Sequence, residues 1–325
     1  MIYIYNGSND AYYNLALEEY LLTNTKEEVF MLWQNENAII VGKNQNTLSE
    51  INYEYVKEHG IKVVRRMTGG GAVFHDMGNI NYTFIINSNE HATDFQYFTE
   101  PVIGALEKLG VHAELKGRND ILVDGKKISG NAQCVHKNRT MHHGTLLFSS
   151  VINDLSAALK VKPGKIRSKG IKSVASRVTN ISEYLDSDMT PLTFIDYLKD
   201  EIFKVIPGIR EYILSEEDIE AVNRLCSVKY STWDWNFGYS PKYNFYKEVS
   251  FTGGNAEIFL NIEDGIIAEA SIKGDFFGSK DISEVEKLLI GAKHEENSIY
   301  EALKDCSIEN YMWGMENEEL VSAMF

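Results

Sequence analysis

Arg65-Arg66-Met67-Thr68-Gly69-Gly70-Gly71-Ala72-Val73-Phe74-His75-Asp76 is the stretch that decides how this chain is read. The apolar run at 61–64 predicts a strand that feeds an arginine pair and then a glycine loop. Glycine has no Cβ, so the loop is free to adopt positive φ and bring its backbone N–H groups against a ligand. Two guanidinium groups beside those N–H groups suit a phosphate or a carboxylate. A bare run of glycines predicts only a tight turn with solvated arginines. Here His75, Asp76 and Asn79 crowd into the same short segment, which points to a site instead. No Gly-Lys-Ser/Thr follows the glycines, so the loop is not of the Walker A kind.

Outward from the loop, other strings repeat this mixture of glycine, charge and amide. They include Asn14-Leu15-Ala16-Leu17-Glu18-Glu19, Leu32-Trp33-Gln34-Asn35, Gly42-Lys43-Asn44-Gln45-Asn46 and Gly117-Arg118-Asn119-Asp120. Lys127-Ile128-Ser129-Gly130, His142-His143-Gly144-Thr145-Leu146 and Ser176-Arg177-Val178-Thr179-Asn180 follow. In order and spacing, and along most of the chain, these strings resemble the lipoate–protein ligase A family. The resemblance implies an α+β fold: a large mixed-sheet catalytic domain related to biotin ligases and class II synthetases, then a small, mobile α+β C-terminal domain. It implies an enzyme that activates lipoate with ATP to lipoyl-AMP and passes the lipoyl group to a lysine of a carrier. The implied carriers are the lipoyl domains of 2-oxoacid dehydrogenases and the glycine cleavage H protein.

Composition is that of an ordinary soluble globular protein. The 325 residues are 44% apolar and 24% charged, enough for one large domain and a small one. A net charge of −15 argues against nucleic-acid binding, since the global field repels anions. An anionic ligand must then be held by a local basic cluster. Residues 155–182 contain no acid but carry Lys160, Lys162, Lys165, Arg167, Lys169, Lys172 and Arg177. That segment is read either as a solvated loop or, through the resemblance, as a loop that orders over the adenylate. No apolar run approaches membrane-spanning length, and the N-terminus lacks the pattern of a secretory signal. Three scattered cysteines without a CxxC pair fit a reducing cytoplasm and argue against structural zinc.

The pattern of apolar residues predicts helices at 10–24, 97–110 and 190–205, and strands at 29–33, 38–42, 61–64, 72–75, 81–86 and 145–149. Asp124-Gly125 suits a type I′ turn joining strands at 121–123 and 127–129. Residues 239–243, with Pro241, read as a linker. Beyond it come a hairpin at 256–273 and helices near 281–291 and 297–305. The expected division is therefore a catalytic domain at 1–245 and an accessory domain at 246–325.

The chemical problem of the implied first step is that a carboxylate must attack an α-phosphate, and both are anions. At about 4 Å and an effective dielectric near 20, each unit-charge repulsion costs roughly 4 kcal/mol. A cation between them removes that cost and stabilises charge building on the phosphoryl oxygens. The resemblance assigns this role to Lys127; Lys126 would point to the opposite face of a strand. It also assigns ATP or adenylate contacts to Arg66, Gly71, Ala72, Val73 and Phe74. Lipoate is implied to contact Lys127, Trp33, Val73, His75 and His143, although either histidine could equally serve only as a hydrogen-bonding core residue. Asp120 is the candidate ligand for Mg²⁺, with a structural turn as the alternative. No residue stands out as the base for the transfer step. The competing enzyme is an octanoyl or lipoyl transferase that needs no ATP and uses a cysteine nucleophile, for which Cys134 is the nearest thiol. A biotin ligase fits less well, because no Gly-Arg-Gly-Arg loop is present. A non-catalytic binder of lipoylated carriers is the reading from outside enzymology.

Overall fold

Strict alternation builds the central sheet. In strand β2 (Val29–Trp33), Phe30 and Leu32 face one apolar core, while Val29, Met31 and Trp33 face another. The same holds in β1 (Ile2–Asn6), where Tyr3 joins the first core and Ile2 and Ile4 the second. The computed structural model describes the chain apart from residues 46, 153–156, 160–176, 233, 239–244, 264–265, 295 and 325. The basic segment at 160–176 and the 239–243 linker therefore lie outside the described residues, although Arg177 is included.

The large sheet runs in the order β11-β1-β2-β6-β10-β9-β8-β7. Its remaining strands are β6 (Asn79–Ile86), β7 (Ala113–Lys116), β8 (Asp120–Val123), β9 (Lys126–His136), β10 (Arg139–Leu147) and β11 (Arg210–Glu211). β1 pairs in parallel with β2 and β11, and the other pairings are antiparallel, so the sheet is mixed. Helix α1 (Ala11–Asn24) covers one face, starting where Asp10 accepts the Tyr12 N–H as an N-cap. A smaller sheet, β4-β3-β5, stands beside it, made of β3 (Ala38–Val41), β4 (Lys62–Arg65) and β5 (Val73–His75). Short helices α2 (Thr47–Glu50) and α3 (Tyr53–Glu58) connect β3 to β4. Helices α4 (Phe95–Lys108) and α5 (Pro191–Val205) cover the opposite face, burying Phe98, Val102, Phe194 and Leu198 against Phe84 and Phe148. Helix α6 (Glu216–Leu225) returns to α1, where Tyr20 donates to Asp218 at 2.6 Å.

Three strands, β12 (Phe245–Phe251), β13 (Gly254–Glu263) and β14 (Ile266–Gly274), form a separate antiparallel sheet. Helices α7 (Ser283–Leu289), α8 (Glu296–Leu303) and α9 (Asn317–Ser322) pack with it around Ile258, Leu260, Ile272, Phe276 and Leu303. This unit docks on the glycine loop. Gly70 N–H donates to the Phe276 carbonyl at 3.3 Å, Gly274 N–H donates to the Asn44 carbonyl, and Lys43 pairs with Asp281. Phe277 reaches the larger unit and packs against Phe95, with ring centroids 5.6 Å apart.

Several expectations shift in position. The strand expected at 145–149 is the end of a longer one, Arg139–Leu147, which brings both His142 and His143 onto the large sheet. Strands 29–33 and 38–42, adjacent in sequence, belong to different sheets. β1, α6 and β12 were not foreseen. No helix among the described residues is long and apolar enough to cross a membrane.

Candidate active site

Two hairpin details place Lys127. The turn at Asp124-Gly125 has φ values of 49° and 75°, the two positive angles a type I′ turn demands. One strand later the register slips: Ile121 faces Ser129, but Leu122 faces Lys127, so Ile128 is an extra residue. A regular ladder would set Lys127 opposite Val123, on the face that buries Ile121 and Val123 in the core. The bulge turns Lys127 onto the other face, where Asp120 also points. Lys127 Nζ then lies 2.7 Å from Asp120 Oδ1. The lysine backbone is held from the far side as well, its N–H donating to Arg177 O at 2.7 Å and its carbonyl accepting from Thr179 N–H at 3.0 Å. A Cβ on Gly130 would come within 2.9 Å of the Lys127 ammonium, so this glycine leaves room for the lysine head.

Lys127 and Asp120 line a cavity of 280 Å³ between the large sheet, the glycine loop and the C-terminal segment at Asp275 and Phe277. Of the residues expected in a site, Trp33, Arg66, Gly71, Ala72, Val73, His75, Asp120, Lys127 and His143 all meet at this cavity. Phe74 does not. It alternates with Val73 and His75 along β5, so its ring turns away into the core formed by Ile39, Val41, Val56 and Val63. Its expected place in the adenylate wall is corrected accordingly.

The two arginines divide the work. Arg65 is fully buried and splints the surrounding loops, with Nη1 donating to the carbonyls of Gly42 and Gln45 and Nε to that of Trp235. Arg66 shapes the glycine loop from within. Its Nη2 donates to Gly69 O at 2.6 Å and Gly71 O at 2.9 Å, and its Nη1 to Ile40 O at 3.0 Å. Those bonds draw the loop's carbonyls inward. Burial lowers the guanidinium pKa to about 10, which still leaves it charged at neutral pH.

A buried polar chain supports Arg66, and three of its members, Thr68, Glu18 and Thr83, are not among the site residues expected from the sequence. Arg66 Nε donates to Thr68 Oγ1 at 2.9 Å, and Thr68 Oγ1 lies 2.8 Å from His143 Nε2. His143 Nδ1 is 2.9 and 3.0 Å from the two oxygens of Glu18. Thr83 donates to Glu18 at 2.6 Å and accepts the Trp33 indole N–H at 2.9 Å. The signal for Glu18 was present: Asn14 and Glu18 stand four residues apart on the buried stripe of α1, where only paired polar groups survive. His75 is different. Asn35 holds its Nδ1 at 3.0 Å, Nε2 is buried without a partner, and burial pushes its pKa down to about 3, so the ring is neutral.

Asp120 was expected to hold a metal. In the ligand-free cavity its carboxylate is paired with Lys127, and among the described residues no three His, Cys, Asp or Glu side chains gather as a metal site. Cys134 packs against the α1 core and does not line the cavity. Burial pushes its thiol up to about 12, the opposite of what a nucleophile needs.

Comparison with known proteins reaches the same place. The family model described as "Lipoyl protein ligase A/B catalytic domain" matches residues 10–203, and "Bacterial lipoate protein ligase C-terminus" matches residues 240–324. The chain is 45% identical to the lipoate-protein ligase LplJ of Bacillus subtilis over 331 aligned positions, covering 100% of both. The structure of Plasmodium falciparum LipL1 in complex with lipoate superposes with a TM-score of 0.79 at 28% identity, covering 99% of this chain and 97% of that one. A lipoate-protein ligase A bound with ATP gives a TM-score of 0.61 at 27% identity, covering 73% of this chain and 96% of that one. With both halves matched in order and a relative alike from end to end, the chain belongs to the lipoate–protein ligase family of ATP-dependent ligases.

Proposed function

We propose that the cavity beside the glycine loop is where lipoate is adenylated and from which it is transferred. The observation that carries this reading is the bulge that turns Lys127 out of the core and into a cavity framed by Arg66 and the loop amides. In the first step a lipoate carboxylate oxygen attacks the α-phosphorus of ATP and pyrophosphate leaves. The Lys127 ammonium offsets the repulsion between the two anions and the charge that develops on the phosphoryl oxygens. Trp33, Val73 and Ile40 give the cavity its apolar part for the aliphatic chain and dithiolane ring, and the neutral His75 offers its unpartnered Nε2–H to a ligand acceptor. In the second step the amine of a carrier lysine attacks the acyl carbon and AMP leaves.

Mg²⁺ is expected to accompany ATP, carried by the phosphates and water as this ion usually is. In the ligand-free cavity Asp120 is paired with Lys127, and no step here runs through the metal. The carriers are proposed to be lipoyl domains of 2-oxoacid dehydrogenases and the glycine cleavage H protein. The three free cysteines fit a reducing cytoplasm.

The test is pyrophosphate release from ATP, dependent on lipoate and measured without carrier, followed by the mass of an apo lipoyl domain once it is added. Both signals should appear, and the second should require the first. Equal acylation from an acylated donor in the absence of ATP would remove the assignment.

A further inference from the structure

The transfer step needs a group to take a proton from the attacking nitrogen. We infer that Asp120 receives the incoming carrier lysine and acts as the general base when the acyl C–N bond forms. This rests on the adenylating role proposed for the cavity.

The argument is first one of elimination. Arg66, Arg118 and Lys127 line the cavity as cations, so they repel an ammonium and hold no lone pair for its proton. His143 also lines it, but Glu18 occupies Nδ1 and Thr68 occupies Nε2. His75 already has Nδ1 held by Asn35, and the free nitrogen is then the protonated one. Asp275 stands on the C-terminal unit, where Asn255 holds both its oxygens, the backbone N–H donating to Oδ1 at 2.6 Å and the side-chain amide reaching Oδ2 at 3.5 Å. Asp120 remains. It sits on the rigid sheet, fixed by Asn119, whose side chain donates to Asn131 O at 2.6 Å and whose carbonyl accepts the Asn131 N–H at 2.9 Å. Its side chain is 38% exposed, so a ligand can reach it.

The second part is charge compensation. While the cavity holds no adenylate, Lys127 neutralises Asp120 at 2.7 Å. An adenylate draws the ammonium toward its phosphate and acyl oxygen, leaving the carboxylate without its cation. The carrier lysine, itself an ammonium, replaces it. A substrate atom in contact with Lys127 lies at most about two hydrogen-bond lengths from Asp120, which places the acyl carbon within reach of a nitrogen held there.

The step balances as follows. The carrier ammonium loses one proton to solvent, and its neutral nitrogen bonds to the acyl carbon. That nitrogen, now positive, gives a second proton to Asp120. The bond from acyl carbon to phosphate oxygen breaks, and AMP leaves with the electron pair. Asp120 then passes its proton to water.

Asp120→Asn in the full-length enzyme separates the steps. Hydroxylamine is neutral near pH 7 and small, so it traps the bound lipoyl-adenylate as a hydroxamate without a base. Hydroxamate formation by the variant should fall far less than transfer, and an unchanged urea midpoint shows separately that it is folded. Transfer from preformed lipoyl-AMP to an apo lipoyl domain should fall by about 10²–10⁴-fold, and Asp120→Glu should recover part of it. An equal fall in hydroxamate and transfer would overturn the inference, because Asp120 would then serve only to place Lys127 or, if the Mg²⁺ requirement rose, to bind metal. Unchanged transfer would overturn it too. Failure of the parent enzyme to form hydroxamate would instead strike the adenylation reading itself.

Discussion

The imidazole of His143 reaches both carboxylate oxygens of Glu18, at 2.9 and 3.0 Å, in a place where Glu18 is 1% exposed. A buried carboxylate survives only with such partners, and this one also accepts from Thr83. Through Thr68 the same imidazole helps to fix the guanidinium of Arg66.

Glu18→Ala is therefore expected to unfold at lower urea, with a loss of about 3–5 kcal/mol, because the His143 N–H and the Thr83 hydroxyl would stay buried without an acceptor. Glu18→Gln, which keeps an oxygen acceptor, should lose less. Urea midpoints at constant slope will measure both.

Lys127→Ala should slow lipoate-dependent pyrophosphate release by at least about 100-fold, the scale of losing one well-placed charge donor. Lys126 is exposed at the hairpin end, and Lys126→Ala should leave the rate within about twofold. Comparable losses in the two variants would contradict the facing set by the bulge.

Cys134→Ser should retain most of the ATP-dependent activity. With its thiol pushed up to about 12, Cys134 stays protonated across neutral pH. Its alkylation by iodoacetamide should be slow at pH 7 and should climb steeply with pH, by about tenfold per unit up to pH 9, whereas a catalytic thiolate, already ionised, would react fast with little dependence on pH. An acyl-thioester at this residue in a mass spectrum would refute the expectation.

His75 makes the fold sensitive to acid. Its pKa is about 3 in the folded chain against an ordinary 6.5, so between those values the unfolded state binds the extra proton. Stability is then fully present above pH 6.5 and falls as pH drops toward 3, by up to about 1.4 kcal/mol per pH unit from this group. His75→Gln should flatten that part of the stability profile. A parallel slope in the variant would mean that other groups carry the loss.

Much of the scaffold was legible because local rules and tertiary packing agree in it. Asp10 and the apolar stripe marked α1, and Asp124-Gly125 marked the hairpin that carries Lys127. The glycine and arginine pattern located the loop, but sequence could not say which arginine would splint and which would face the cavity. That follows from the pleat, which sends neighbouring side chains to opposite sides. Phe74 was misplaced for the same reason. The bulge at Ile128 left no mark in composition, and Thr68 gains its meaning only from His143, far away in the chain. β12 is largely exposed and follows directly on the linker, which hid it in the sequence.

The Gly70 N–H has a single hydrogen, and the Phe276 carbonyl of the C-terminal unit holds it. An anion that claims this amide must take it from the accessory domain. Nucleotide affinity and domain docking are then two readings of one thermodynamic cycle, coupled with equal magnitude in both directions. Weakening the Lys43–Asp281 pair would loosen the dock and tighten any ligand that needs the amide, although Lys43 does not line the cavity. The C-terminal unit would then compete for the loop as well as neighbour it.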